Sequence, residues 1–394
     1  MIVLTATLML LSNAFVIEGA KVFTGDNGIL ENANVLVEND RIVQVGNFVP
    51  PAHATRIDAR GKILTPGLIE SRSLAGVSEV DAVESSLDYS MEGQITPALF
   101  TGDGFNPNSV WIPVLRKCGI THAIVRPFEG LLAGTAAWVS LQHASSSTQP
   151  VAIFGDATHV KHLGGSRGAL WLTLTHVLED ARFLMNNTGA VDSNRARTLA
   201  APLIHLRALA PVLRKSMPLV LDLNRASDIV RAVQFAKSNH INLIISGGAE
   251  SWMVAETLKE AQVPVIVEGS GQMPEAFDRL AAVDDLAARL HYAGVTIMIS
   301  RGGRVPERLR QDAGFAIANG LPEAAAMRAI TSTPAKIFGH PETGSIAPGK
   351  MANLVLWSAD PFDTQTTVLN MWVNGTPQST ITRQDLLARR YLSK

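Results

Sequence analysis

The spacing of apolar residues divides the chain into two styles. Between residues 15 and 64, the stretch FVIEGAKVFTGDNGILENANVLVENDRIVQVG alternates apolar and polar positions. Turn signals interrupt it at Asp26-Asn27-Gly28 and Asn39-Asp40. Alternation with period two sets one face against a core and the other in water, so it predicts half-exposed antiparallel strands. The end of the chain repeats the style. GSIAPGKMANLVLW sets a Pro348-Gly349 turn before a strand, and VLNMWVNGTP adds another that ends in an Asn-Gly turn.

The middle of the chain reads differently. Short apolar runs recur as HAIVRP, PLVLDLNR, NLIISGG, PVIVEG and VTIMISRGG. Segments with helical spacing separate the later ones. Ile229, Ala232, Val233 and Ala236 fall at i, i+3, i+4 and i+7, and Val254, Leu258 and Ala261 repeat the face. Buried strand, amphipathic helix, buried strand is the pattern of βαβ units on a parallel sheet. Strands beginning near 219, 243, 264 and 295 have the spacing of a (β/α)8 barrel. Residues 78 to 115, rich in Gly, Asn and Pro, read as long loops over one barrel mouth, and no repeat of solenoid length is present.

Composition narrows the function classes. The chain has 394 residues, 46% hydrophobic and 18% charged, enough for one large core and a smaller module. A net charge of −1 gives no field to attract nucleic acid, and no basic run with interleaved aromatics exists. The single cysteine, Cys118, excludes an intramolecular disulfide and a cysteine zinc cluster and reads as a small core residue. The apolar run Met1–Leu11, followed by the small residues Ser12 and Ala14, resembles a secretory signal without its basic start. It is too short to span a bilayer. The expectation is a possible signal peptide over 1–14 and a periplasmic or secreted protein. A buried first strand in a cytoplasmic protein is the alternative.

Four stretches carry a resemblance to a known family. They are GAKVFTG with ENANVLVENDRIVQVG, then IDARGKILTPGLIES, then RLRQDAGFAIANGLPEAAAMRAITSTPAKIFG, and last GSIAPGKMANLVLWSADP. Together they resemble the amidohydrolase superfamily in its imidazolonepropionase-like branch. The resemblance implies a TIM-like (β/α)8 barrel over 65–343. It also implies a small composite β-sandwich built from both chain ends, 15–64 and 344–394. It further implies hydrolysis of non-peptide C–N bonds, as in cyclic amides, by water activated on zinc. The ligands would be a His-x-His pair on the first barrel strand, often a carboxylated Lys on the fourth, His on the fifth and sixth, and Asp on the eighth.

The sequence departs from that set at nearly every station. The first-strand pair falls on Arg72 and Leu74, and neither side chain has a lone pair to offer a metal. The fifth-strand position is Asp222, with Asn224 two residues on; the sixth is on or beside Gly247; the eighth is Arg301 or Gly302. For the lysine only Lys161 and Lys215 are available. The expectation is therefore a degenerate hydrolase with no metal at the family positions and no cofactor. Its pocket would retain Arg72, Asp222, Asn224, Arg225, Glu250, Glu268 and Arg301 for a small-molecule or peptide ligand. A homo-oligomer or an active paralogue are the possible protein partners.

Within that pocket, Arg72 is expected to replace the metal as an ion pair with Asp222, and if the pair is buried Arg72→Ala should cost about 3–5 kcal/mol, the double change to Leu much less. The competing arrangement is an anion pocket of Arg72, Arg225 and Arg301. Other chemistry is open to the chain. Asp156, His159 and His162 could form a displaced metal site, which is the basis of the alternative that the enzyme is active with a relocated metal or none. GGSRG at 164–168 matches a nucleophile elbow, although Ser166 as a helix N-cap explains it more simply. Glu250 and Glu268 could act as an acid–base pair, or Glu250 could open a helix. The remaining histidines, 122, 143, 176, 205, 240, 291 and 340, show no ligand spacing.

Overall fold

The computed structural model describes residues 14–26, 28–80, 83–142, 147–158, 166–187, 198–302 and 308–392. The chain ends join in one eight-stranded sheet. Its N-terminal strands are β1 (Ala14–Phe23), β2 (Ile29–Glu38), β3 (Arg41–Gly46), β4 (Thr55–Asp58) and β5 (Ile63–Pro66). Further along the chain, β14 (Leu354–Trp357), β15 (Val368–Val373) and β16 (Thr376–Pro377) complete it. The order is β16-β15-β14-β5-β1-β2-β3, with β4 also paired to β1. The two ends meet where β14 runs antiparallel to β5, Val355 opposite Thr65.

Backbone bonds from Ile42 N to Lys350 O and from Ala352 N to Asp40 O bring the β3 side of the sheet round to the C-terminal segment. The sheet thus rolls over the apolar filling predicted by the alternation, including Ile17, Val22, Val35, Leu64, Leu354 and Trp372. Phe15 stacks on Trp372 with ring centres 5.3 Å apart, tying first strand to last. The predicted Asn-Gly turn joins β15 to β16. Gly375 there has φ +70°, and a Cβ on it would lie 1.8 Å from the Asn39 carbonyl oxygen, so the two turns nest only because this residue is glycine.

The second sheet is the barrel. Its strands follow chain order: β6 (Leu68–Ser73), β7 (Ile120–Val125), β8 (Gly134–Ser140), β9 (Thr148–Asp156), β10 (Leu219–Leu223), β11 (Leu243–Gly247), β12 (Val265–Val267) and β13 (Ile297–Ile299). The strands expected near 219, 243, 264 and 295 are β10 to β13. One strand departs from the ideal: β8 is antiparallel to both β7 and β9. Residues 126–133 return the chain directly from β7 without a crossover helix, so a parallel pairing is not available. β13 and β6 are not paired as strands. Across that seam the Glu70 carboxylate accepts a hydrogen bond from Ser300 Oγ, and within β6 it accepts another, of 3.0 Å, from Arg72 N.

The helices cover the barrel as the spacing predicts. The helix Ala226–Asn239 buries Ile229, Ala232, Val233 and Ala236. The next one is shorter than its apolar pattern suggests, because a 3-10 turn over Ser251–Val254 precedes Ala255–Glu260. Ser166 caps Arg167–Asn186, its hydroxyl accepting from Ala169 N at 3.1 Å. Among the described residues no helix is long and apolar enough to cross a membrane.

Inside the barrel, seven strands stack their residues in two layers. Ile69, Ile124, Phe154, Val220, Ile244, Ile266 and Met298 belong to one apolar cluster. Two residues further along the same strands stand Ser71, Arg126, Asp156, Asp222, Ser246, Glu268 and Ser300. Side chains two apart share a face, so an apolar plug carries a polar layer at its C-terminal end, where the loops open.

Candidate functional site

The polar layer holds a chain of buried charges. Arg126 and Asp222 are in direct contact, Nη1 donating to Oδ2 at 2.7 Å, and both side chains are about nine-tenths buried. The Arg126 guanidinium also lies over the Phe128 ring at 5.0 Å. On the other side of Asp222, Arg72 Nη2 stands 3.7 Å from Oδ1. Arg72 Nη1 stands 3.7 Å from Glu268 Oε1, and Glu268 Oε2 is 3.5 Å from Arg279 Nη2. The order across the mouth is Arg126, Asp222, Arg72, Glu268, Arg279, with the sign alternating at every step.

Electrostatics follow from this order. Burial alone pushes the Asp222 carboxyl up, but Arg126 and Arg72 outweigh it and hold the group at about 2. Glu70 has no such pair; burial pushes its carboxyl up, against the hydrogen bonds from Ser300 and Arg72 N. Several polar atoms stay unsatisfied. Arg72 Nε and Nη1, Arg126 Nε and Asp222 Oδ1 are buried and have no hydrogen-bond partner among the described residues. A 3.7 Å approach is an ionic contact and not a hydrogen bond.

The expected Arg72–Asp222 pair is therefore present as facing charges, but the residue that grips Asp222 is Arg126, which the sequence reading missed. A usable indication was there: Arg126 follows Ile124 by two residues, as Asp222 follows Val220. The other expected pocket residues are placed as follows. Glu268 is in the chain of charges, held between Arg72 and Arg279, so its acid–base pairing with Glu250 is not formed. Glu250 instead accepts from Ala226 N at 3.0 Å and Ala281 N at 3.2 Å, capping the helix 226–239 and fixing the connection after β12. Asn224 ties loops together, donating to Asp278 Oδ2 at 3.3 Å.

Arg225 is exposed at the start of its helix, and Arg301 is engaged by Ser270 Oγ at 2.6 Å and Asp312 Oδ1 at 3.4 Å. The trio Arg72, Arg225 and Arg301 is thus not assembled as an anion pocket. Ser270 also hydrogen-bonds Asp312, whose carboxyl burial pushes up.

The donor set at the family's metal positions is poor. Leu74 is buried in the apolar core. Gly247 and Gly302 bring no side chain, and Gly302 packs against the Arg72 guanidinium, where a Cβ would lie 3.3 Å from Cζ. Lys215 precedes β10 and so lies at the opposite end of the barrel. Asp222, the one carboxylate there, is engaged by two guanidiniums whose charge repels a divalent cation. Among the described residues no group of three or more His, Cys, Asp or Glu is arranged to hold a metal ion. His159, His162 and Lys161 lie outside the described residues. Asp156, their proposed companion, accepts from Thr158 N at 2.8 Å. His122 sits at the other end of the barrel against Trp138, which stacks on His340 with ring centres 4.1 Å apart; burial pushes His122 down to about 3.

A barrel mouth of this build, closed below by apolar side chains and joined to a sheet from both chain ends, defines an amidohydrolase-type fold. Comparison with known proteins agrees. Residues 250–377 match the model of the amidohydrolase family. An amidohydrolase from Thermotoga maritima superposes with a TM-score of 0.83 at 23% identity, over 94% of this chain and 100% of that one. The ochratoxinase of A. niger superposes with a TM-score of 0.59 at 14% identity, over 93% and 95%. In sequence, the amidohydrolase tasK of Hapsidospora irregularis is 23% identical over 391 residues, 88% of this chain. The chain spans only 40% of that relative's length. A dihydroorotase of Syntrophotalea carbinolica is 43% identical over 54 residues, 14% of this chain and 13% of that protein. The chain thus has the fold of these amidohydrolases and resembles their family in sequence over residues 250–377.

Proposed function

We propose that this protein binds a small-molecule or peptide ligand in its barrel mouth and does not perform the metal-dependent hydrolysis of its relatives. The observation that carries the proposal is the run Arg126–Asp222–Arg72 at the C-terminal ends of the strands, where relatives of this fold place metal ligands. A guanidinium cannot ligate, and two of them beside the single carboxylate disfavour a cation. The chemistry still available is recognition: donors and acceptors fixed on rigid strand ends, with several left unsatisfied. The test is metal analysis of the purified protein beside a hydrolysis screen of amides and lactams, with and without chelator. The expected result is metal well below one equivalent and no hydrolysis that chelation abolishes. Stoichiometric zinc in the mouth, lost together with activity on chelation, overturns the proposal. Zinc that disappears on replacing His159 and His162 supports the competing reading of an active enzyme with a displaced site.

A further inference from the structure

The helix Arg383–Leu392 is well started, yet none of its ten residues is buried. Thr382 and Asp385 form a capping box at its head. Thr382 N and Oγ1 donate to Asp385 Oδ2 at 2.9 and 2.8 Å, and Asp385 N donates to Thr382 Oγ1 at 3.2 Å. Asp385 Oδ1 also accepts from Lys117 Nζ at 2.7 Å, which ties the first turn to the barrel. Beyond that turn the apolar side chains stand in solvent: Leu386 is 57% exposed, Leu387 41%, Tyr391 64% and Leu392 82%. A helix this short is marginal in water on its own hydrogen bonds, so its order calls for a surface against its apolar side.

The placing of charge says which surface. Leu387 and Tyr391, four positions apart, share a side with Ala388 and Leu392, also four apart. Arg383, four before Leu387, and Arg390, three after it, border that side. The Arg390 guanidinium lies over the Tyr391 ring at 5.5 Å. The helix carries Arg383, Arg389 and Arg390 against one carboxylate, Asp385, which Lys117 matches. Screening confines such charges to about 8–10 Å, so an approaching surface meets this local excess and not the net charge of −1. Two copies meeting through Leu387 and Tyr391 would set bordering arginines against bordering arginines, which disfavours a symmetric dimer. An anionic lipid surface supplies both partners at once, phosphates at the level of the guanidiniums and hydrocarbon below them.

We propose that the helix Arg383–Leu392 docks the protein on an anionic phospholipid surface. It lies along that surface with Leu387, Tyr391 and Leu392 among the upper acyl chains and Arg383 and Arg390 on lipid phosphates. Ten residues rise about 15 Å, half the hydrocarbon thickness, so the helix lies in the interface and does not cross it. The proposal is independent of what the barrel mouth binds.

The test is co-sedimentation of the full chain with lipid vesicles at neutral pH and low salt. Phosphatidylcholine vesicles with about one-third phosphatidylglycerol are compared with phosphatidylcholine alone. The protein is expected to bind the mixed vesicles, at least about tenfold more weakly to the neutral ones, and to release in high salt. Arg383→Gln with Arg390→Gln should weaken binding about thirtyfold, the attraction of two arginines for an anionic surface. Leu387→Ser with Tyr391→Ser should weaken it at least about tenfold, because the apolar side no longer inserts. Leu172→Ser, at a 58% exposed leucine on the helix Arg167–Asn186, should leave it unchanged. Circular dichroism checks that the variants fold, and the comparison of the two vesicles by the unmodified protein decides the matter even if one does not. No binding to the mixed vesicles, equal binding to both kinds, or binding unaltered in both folded double variants overturns the proposal. So does a dimer in sedimentation velocity that Leu387→Ser with Tyr391→Ser abolishes, since the face then meets a second copy.

Discussion

Removing Arg126 should destabilise the protein more than removing Arg72, although both guanidiniums flank the same carboxylate. Arg126 Nη1 lies 2.7 Å from Asp222 Oδ2, and the two side chains are 7% and 11% exposed. Breaking such a buried, hydrogen-bonded pair costs about 3–5 kcal/mol, because one charge is left without its direct partner. Arg72 stands at 3.7 Å and makes no hydrogen bond to Asp222. At an effective dielectric near 20 its gross attraction is about 4 kcal/mol, but the cost of burying the guanidinium offsets most of it. After Arg72→Met, Asp222 still holds Arg126, so a net loss of about 1 kcal/mol is expected. This revises the 3–5 kcal/mol that the sequence alone suggested for Arg72, since the sequence did not show that Asp222 has a second and closer cation. The assay is urea unfolding at pH 7 in two double-mutant cycles, each pairing Asp222→Asn with Arg126→Met or Arg72→Met. Methionine keeps the apolar stem, so packing changes little. A coupling of about 2–3 kcal/mol is expected for Arg126 and below about 1 kcal/mol for Arg72. Equal couplings, or the reverse order, would refute the reasoning.

Further outcomes follow from the same contacts. The Asp222 carboxyl is held at about 2 against an ordinary 3.8, so it contributes about 2 kcal/mol above pH ~4 that is lost as pH falls towards 2. Asp222→Asn should lack that acid limb in a pH series of unfolding curves; an unchanged limb would count against the ion pair. Glu70 behaves oppositely: burial raises its folded value, so its contribution is full below about 4.5 and is lost as pH rises through the raised value. Glu70→Gln keeps acceptors for Arg72 N and Ser300 and should be at least as stable as wild type at pH 7. A drop of more than about 2 kcal/mol in unfolding free energy would show instead that the ionised carboxylate ties the barrel seam. Glu250→Ala should cost about 1–2 kcal/mol by uncapping the helix 226–239, whereas exposed Arg225→Ala should stay within about 0.5 kcal/mol. Thermal melts of the pair check this, and equal effects would remove the capping role.

Local pattern determined much of this protein. Period-two alternation located the strands of both chain ends, although β1 and β14 are buried on both faces and β1 runs parallel to β4 and β5 where half-exposed antiparallel strands were expected, and helical spacing set the face of 226–239, because each depends on residues only a few positions apart. Turn chemistry did the same at Asn374-Gly375, and cap chemistry at Ser166. The absence of histidine from the first-strand positions was legible for the same reason, since Arg72 and Leu74 follow TPGLIES directly. What the tertiary structure decided lies between distant residues. Arg126 and Asp222 are 96 positions apart, and nothing near either one names the other; only the barrel's closure puts them in one layer. The same closure turned Glu250 from a candidate acid into a cap and placed Glu268 between two arginines. It also sent Lys215 to the far end, because which end of a strand a residue occupies depends on strand direction. The antiparallel course of β8 likewise emerged from a short return that apolar runs alone do not distinguish from a crossover. Periodicity is a property of the chain, while charge pairing in a barrel mouth is a property of strand register, and register is fixed only when all eight strands are in place.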